Sequence, residues 1–211
     1  MEEEAGGGRR IDPSTLGKRE RYHLMTSLVV PRPIGWVSSR SRSGVPNLAP
    51  FSYYNAVAAT PMLIGVSIGH RKDLPKDTLL NIRETGSFCL NVVTEGQLEQ
   101  MNLTSGEHSP EVDEFEIAGL PLAESRLVAA PYVASCPAVL ECRMTQEVEL
   151  KDAAASLVIA EVVGILLSDD LRMEDGTLRV TPESLRAVGR MGGDLYCTTR
   201  EIRAIPRPVL V

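Results

Sequence analysis

Nowhere in its 211 residues does the sequence stay apolar for the roughly 18–20 positions that a membrane span requires. The longest candidates, residues 56–66 and 157–167, are interrupted by Pro61 and Glu161. The first ten residues, MEEEAGGGRR, pass from acidic to glycine-rich to basic with no apolar stretch, so no secretory leader is read there. Residues 1–20 are expected to form a flexible tail, residues 21–211 one domain, and the chain to be cytoplasmic. Cysteine and histidine are sparse. Cys89, Cys136, Cys142 and Cys197 contain no CxxC pair, and His23, His70 and His108 have no ligand spacing. This pattern speaks against a disulfide framework and against a metal site; it leaves core thiols and surface or locally hydrogen-bonded histidines as the expectation. No GxGxxG follows a strand, and HExxH and Walker sequences are missing, which removes the usual dinucleotide, zinc-protease and P-loop readings. The net charge of −6 argues against a broad footprint on nucleic acid or an anionic membrane, while a local basic pocket for one phosphate remains compatible with it.

What is present is a succession of short strand patterns. Residues 34–39 follow the Pro-Arg-Pro punctuation at 31–33, residues 62–69 follow Pro61, and residues 87–93 follow Gly86. After Pro137 comes a long period-2 alternation, with Leu140, Cys142, Met144, Val148 and Leu150 on one face and Glu141, Arg143, Thr145, Glu147 and Glu149 on the other. Residues 157–167 are apolar on both faces and read as a deeply buried strand. Three short helices are expected. The first is 78–85, with Asp77 as N-cap and Gly86 as C-cap, and the second is 95–102. The third is 182–188, with Thr181 as cap, Pro182 at its first position and Gly189 as stop. Strands in succession, not alternating with helices, favour a mainly β, antiparallel barrel with α decoration.

Three stretches carry more chemistry than packing needs. Residues 35–55 place Ser38, Ser39, Arg40, Ser41, Arg42 and Ser43 before the turn residue Gly44 and the run NLAPFSYYN; a solvated hairpin is the alternative. In LPKDTLLNI, Lys76, Asp77 and Thr78 open a helix, whose amino end suits a phosphate, although a simple cap would look the same. In GRMGGDLY, Gly192 and Gly193 allow close backbone approach and Arg190 brings a charge; an ordinary turn is the alternative. These stretches handle an anion without metal ligands and without a nucleophile–base pair. FMN and pyridoxal phosphate both fit that description, but none of Lys18, Lys72, Lys76 and Lys151 lies in an apolar strand, as an aldimine lysine would. His108 is a candidate proton donor in a loop, with solvent exposure as its default.

Taken in order, RPIGWVSS (32–39), NLAPFSYYNAV (47–57), KDTLLNI (76–82), FCLNVV (88–93), VDEFEIAGL (112–120), PAVLEC (137–142) and GRMGG (189–193) resemble the flavin-reductase-like FMN-binding split-barrel proteins, including flavoredoxin-type flavoproteins. The likeness runs from about Tyr22 to Tyr196. It implies a Greek-key split β-barrel that forms a homodimer with FMN near the subunit interface. By the same resemblance Ser38, Ser39 and Arg40 meet the flavin and its phosphate. Asn47, Ala49, Pro50 and Ser52 run along the ring and ribityl chain, Lys76, Asp77 and Thr78 take the phosphate side, and Asn91 and Arg190 lie nearby. The implied activity is that of an NAD(P)H-dependent flavin reductase or related oxidoreductase, with NADH or NADPH giving hydride to flavin N5 and a small substrate or partner oxygenase taking the electrons. A non-catalytic FMN-binding protein or electron carrier is the alternative use of the same site. No acid or base catalyst and no metal is named.

Overall fold

The computed structural model of the chain describes residues 8–72 and 74–208, so most of the N-terminal MEEEAGGGRR lies outside the described residues. After a 3-10 turn at Pro13–Thr15, the elements are α1 (Lys18–Leu28), β1 (Arg32–Pro33), β2 (Gly35–Arg40), β3 (Pro46–Phe51), β4 (Tyr54–Ala59), β5 (Met62–Gly69), α2 (Asp77–Thr85) and β6 (Ser87–Val92). A turn at Glu95–Gln97 leads to α3 (Leu98–Leu103), α4 (Glu114–Ile117), β7 (Leu122–Glu124), β8 (Pro131–Val133), β9 (Ala138–Leu150), β10 (Ala155–Leu167), α5 (Pro182–Leu185), β11 (Val188–Arg190) and β12 (Tyr196–Thr198).

Seven strands pair antiparallel in the order β3-β2-β6-β9-β10-β5-β4. The two edges, β3 and β4, are joined in the chain by Ser52 and Tyr53 alone. Three Cα steps reach at most about 11 Å, so the sheet has to curl until its edges meet. No ladder joins β3 to β4 among the described residues, and the barrel is therefore split. Its interior is filled by Val37, Phe51, Ile64, Val66, Ile68, Phe88, Leu90, Cys142 and Val158, with Leu79 and Ile82 of α2 packed among them. The outer face of β2 and β6 carries a second core. There Trp36, Leu48 and Cys89 are covered by Met101 of α3, Phe115 of α4 and Val133 of β8. Cys89, Cys136, Cys142 and Cys197 are all free, the first three buried.

Two polar contacts tie this outer layer to the sheet. The buried Trp36 Nε1 donates to Thr104 Oγ1 at 2.9 Å, and Thr104 Oγ1 donates to the Met101 carbonyl at 2.8 Å. Glu114 Oε2 accepts the Leu48 N–H at 3.0 Å and so satisfies a donor on the edge strand β3. Burial pushes the Glu114 carboxyl above its ordinary value, against the Leu48 N–H, which favours the charged form.

Several local expectations change. Lys76, not Asp77, is the N-cap of α2, and Asp77 is its first helical residue; Gly86 closes the helix in the left-handed region at φ 68°. The segment expected as helix 95–102 is a 3-10 turn followed by α3. Helix 182–188 shortens to α5, because Arg186 takes φ 49° and Val188 already pairs with Thr198. The regular alternation of β9 breaks at Thr145. Ile159 stands opposite Gln146 and Ala160 opposite Met144, so a bulge flips the phase beyond it. Glu147 and Glu149 consequently face the fully buried Val158 and Ser156, at the barrel end where Arg83 of α2 meets Glu147 at 2.6 Å. Glu141, expected on the wet face, is buried under the β7–β8 connection and accepts the Ser125 hydroxyl. The end of β10 is not buried, and Ile165, Leu166 and Leu167 are exposed. Helix α1, absent from the sequence reading, buries only Thr26, and its apolar residues Tyr22, Met25 and Leu28 are exposed.

Replacing Thr104 by Val leaves the Trp36 N–H buried without an acceptor and is expected to cost about 1–3 kcal/mol. Urea unfolding followed through Trp36, the only tryptophan, measures this, and an unchanged midpoint would show that the bond adds no net stability. Glu114→Gln keeps an acceptor for Leu48 but has no charge to bury. A carboxyl raised on folding stabilises fully below its unfolded value of about 4.3, and that contribution is lost as pH rises through the folded value. The melting temperature of the Gln variant should therefore gain on the wild type as pH is raised from about 4 to about 7. Parallel pH profiles for the two proteins would contradict this.

Candidate functional site

The amino end of α2 opens into a cleft of about 500 Å³, within the range of about 300–1,000 Å³ usual for small-ligand sites. One wall is β3, through Asn47, Ala49 and Pro50. The second is the β5–α2 loop with the start of the helix, through Arg71, Lys72, Lys76, Asp77 and Thr78. The third is residues 104–110 with Glu114 behind them. The Trp36–Thr104 bond fixes the start of this third wall, and Asp113, which caps α4 by accepting the Phe115 N–H at 2.8 Å, fixes the chain beyond it.

Sequence explains why α2 leaves its end available. Lys76 at the N-cap has no side-chain oxygen to turn back onto the first helical amides, and it makes no capping bond. The positive end of the helix thus faces the cleft, with the Lys76 ammonium beside it, 5.6 Å from the centre of the Phe51 ring. Thr78 is buried and its Oγ1 accepts from Asn47 Nδ2 at 2.9 Å, which leaves the hydroxyl proton for another acceptor. Ser39 sits beneath, accepting from Asn47 Nδ2 at 3.4 Å and Asn81 Nδ2 at 3.1 Å. This buried amide–hydroxyl cluster holds Asn47 and Thr78 in one geometry.

Six of the twelve expected binding residues, Asn47, Ala49, Pro50, Lys76, Asp77 and Thr78, line the cleft, and Ser39 supports them from below. The other five lie elsewhere. Ser38 and Asn91 are on the opposite face of the sheet, fully buried. Ser38 Oγ donates to the Pro131 carbonyl at 2.6 Å, while Asn91 Nδ2 donates to Ser38 Oγ and to the Trp36 carbonyl and Asn91 Oδ1 accepts the Val133 N–H. Arg40 pairs with Glu124 at 2.6 Å and donates to the Gly44 carbonyl. Ser52 accepts from Arg32, whose guanidinium also binds the Thr26, Val29 and Met191 carbonyls. Arg190 lies over the Tyr196 ring at 4.4 Å and donates to the Gly193 carbonyl.

The sequence assigns no role here to Arg71, Lys72, Glu107 or Glu114, and it offers His108 as a loop proton donor with solvent exposure as the default. His108 is half-buried in the cleft wall; its Nε2 is buried without a hydrogen-bond partner, and a Cβ added at Gly106 would come within 2.8 Å of it. The signals were present in GHRK, which ends three residues short of the KDT run, and in VDEFEIAGL, whose first glutamate is the β3 cover.

The cleft therefore offers a helix amino end, a hydroxyl donor and several cations next to a partly apolar strand. That donor set fits a phosphate carried by a planar organic body. Comparisons agree with this chemistry. The model of the flavin reductase like domain matches residues 25–185. An uncharacterized protein of Halalkalibacterium halodurans is 37% identical over 206 residues, covering 95% of this chain and 97% of its own length. Nitrilotriacetate monooxygenase component B from Bacillus cereus superposes with a TM-score of 0.89 at 31% identity, covering 95% of this chain and 100% of that one. Pseudomonas fluorescens 2-nitrobenzoate 2-nitroreductase gives 0.87 at 30% identity, with 96% and 98% covered. With its incompletely closed antiparallel sheet and a family match over most of its length, the chain belongs to the flavin-reductase-like family and has that family's split-barrel fold.

Proposed function

We propose that the cleft binds FMN with its phosphate at the amino end of α2, and that the protein is a flavin-reductase-type oxidoreductase drawing on NADH or NADPH. The observation that carries this reading is the uncapped start of α2, with Lys76 and the Thr78 hydroxyl turned to a cleft that β3 lines with Asn47, Ala49 and Pro50. When bound, the flavin supplies the hydride-accepting chemistry, and the protein's part is to hold and orient it. Lys76, Thr78 and the first helical amides take the phosphate, with Asp77 beside them in the first turn. Asn47, Ala49 and Pro50 border the ribityl chain and ring, and Ser39 locks Asn47 in place. Ser38 and Asn91 act indirectly by pinning β2 to β6 and β8, and Arg40 steadies the end of β2 through Glu124. The Bacillus cereus neighbour is one component of a monooxygenase, which supports a partner oxygenase as one destination for the electrons.

We further propose that two copies of the chain associate. β4 is an edge strand exposed from Asn55 to Ala59, with Val57 at 55% exposure, and its neighbours Tyr53 and Met62 are exposed apolar side chains as well. Leu28 at the end of α1 is 71% exposed. A bare, apolar edge of this kind calls for a covering surface, and a second copy supplies one in register with the resemblance. Ser52 and Arg190, which border α1 through Arg32 and Met191, are assigned to the part of the site that the second copy completes.

Three measurements test these readings. Purified protein given FMN should show a perturbed flavin spectrum that NADH or NADPH bleaches without oxygen; no spectral change with FMN would end the flavin reading, and bleaching only through a partner protein would favour an electron carrier. Thr78→Val and Lys76→Ala should each weaken FMN by roughly ten- to a hundredfold while leaving riboflavin nearly unaffected, since riboflavin has no phosphate. Equal losses for both would overturn the phosphate assignment. Sedimentation should give a dimer that Val57→Lys converts to monomer, and a monomeric wild type would refute the association.

A further inference from the structure

Arg71 and Glu107 approach each other from the two loops that face across the cleft. Arg71 Nη2 lies 2.8 Å from Glu107 Oε2, and Arg71 Nη1 donates to the His108 carbonyl at 3.3 Å. The arginine is held at its base by reciprocal backbone bonds with Leu74, of 2.7 and 2.9 Å, around a turn in which Lys72 takes φ 48°. Its side chain is 41% exposed and that of Glu107 71%, so the pair is screened, weak and easily exchanged. Arg71, Lys72 and Lys76 line the same cleft, where Asp77, Glu107 and Glu114 offset their charge.

We infer that Glu107 is a specificity-determining residue, an internal carboxylate that competes with a ligand's phosphate for Arg71. The inference rests on the FMN reading and adds a discriminating step to it. A phosphate monoester carries about −1.5 to −2 charges and three acceptor oxygens against one charge and two oxygens for a carboxylate. It therefore takes Arg71 from Glu107. Riboflavin or a neutral aromatic has nothing to offer the guanidinium and leaves the pair closed. The exchange also frees Glu107 and His108, which Arg71 ties to the opposite loop through the Glu107 carboxylate and the His108 carbonyl. A phosphorylated ligand thus gains a cation and loosens the third wall in one step.

The test uses the full chain with FMN and riboflavin titrated by flavin fluorescence. Glu107→Gln should tighten FMN roughly two- to fivefold, leave riboflavin unchanged, and lose its effect at high salt. In an Arg71→Gln background, which should itself weaken FMN, the gain from Glu107→Gln should disappear. Melting temperatures near the wild-type value check that each variant is folded. An unchanged or weaker FMN affinity in Glu107→Gln would overturn the inference, as would an equal shift for riboflavin. So would a gain that persists without Arg71, because that is general charge repulsion and not competition for one partner. Wild-type protein that does not bind FMN would remove the flavin reading as well, whereas tight wild-type binding with an indifferent Glu107→Gln would remove the competitor alone.

Discussion

The two-residue connection between β3 and β4 is the constraint from which the rest of the architecture follows. Phe51 and Tyr54 end and begin strands at opposite edges of a seven-stranded sheet, yet only Ser52 and Tyr53 separate them. The sheet must curl to permit this, and once curled it needs something to fill the mouth. Helix α2 does so by placing Leu79 and Ile82 among the interior side chains. Its amino end then has to emerge beside β3, because β3 is the edge that the curl brings round. The cleft is the geometric result of a barrel that closes without pairing its edges.

Each edge resolves its unpaired backbone differently. On β3, Glu114 takes the Leu48 N–H, and α4 carries that carboxylate on the same short helix that buries Phe115. The cover thus also forms the rear of the ligand wall. On β4, the edge that the proposed second copy would cover, no described residue plays this part. Alternation within β2 divides the polar residues just as sharply. Ser38 turns to the outer core and Ser39 to the helix side, so two adjacent serines serve different layers. Ser38, with Asn91, satisfies buried carbonyls and a buried amide; Ser39 orders the groups that meet the cleft.

The strands were legible wherever apolar residues alternate without interruption, as in 62–69, which the structure returns as Met62–Gly69. The start of α2 was legible because Lys76, Asp77 and Thr78 precede an apolar run that Gly86 ends. Departures have identifiable causes. A single bulge at Thr145 reverses every side chain beyond it, and no local pattern announces a bulge. α1 has no core-facing stripe because its apolar residues Tyr22, Met25 and Leu28 point away from the single chain. The resemblance gives cofactor residues by segment, but segments do not report face, so it groups Ser38 and Asn91 with the cleft residues. The meeting of Arg71 with Glu107 and His108 was hidden for the opposite reason. They come from two loops far apart in sequence, and only the closure of the barrel sets them across from each other.

An acidic chain that is to hold a phosphate needs a local field opposed to its overall charge of −6. Surplus cations are a poor way to build one, since they would attract any anion. Here the cations of the cleft are balanced by neighbouring carboxylates, and the positive end of α2 supplies a directed field that side-chain pairing does not neutralise. If Glu107 competes for Arg71 as proposed, selection depends on which anion can displace it. A dianionic phosphate on an organic body that fits against β3 meets both conditions at once; an inorganic anion meets the first alone, and a neutral aromatic only the second. Discrimination in such a site comes from exchange between charges of unequal strength at a fixed position, and the barrel's contribution is to fix that position.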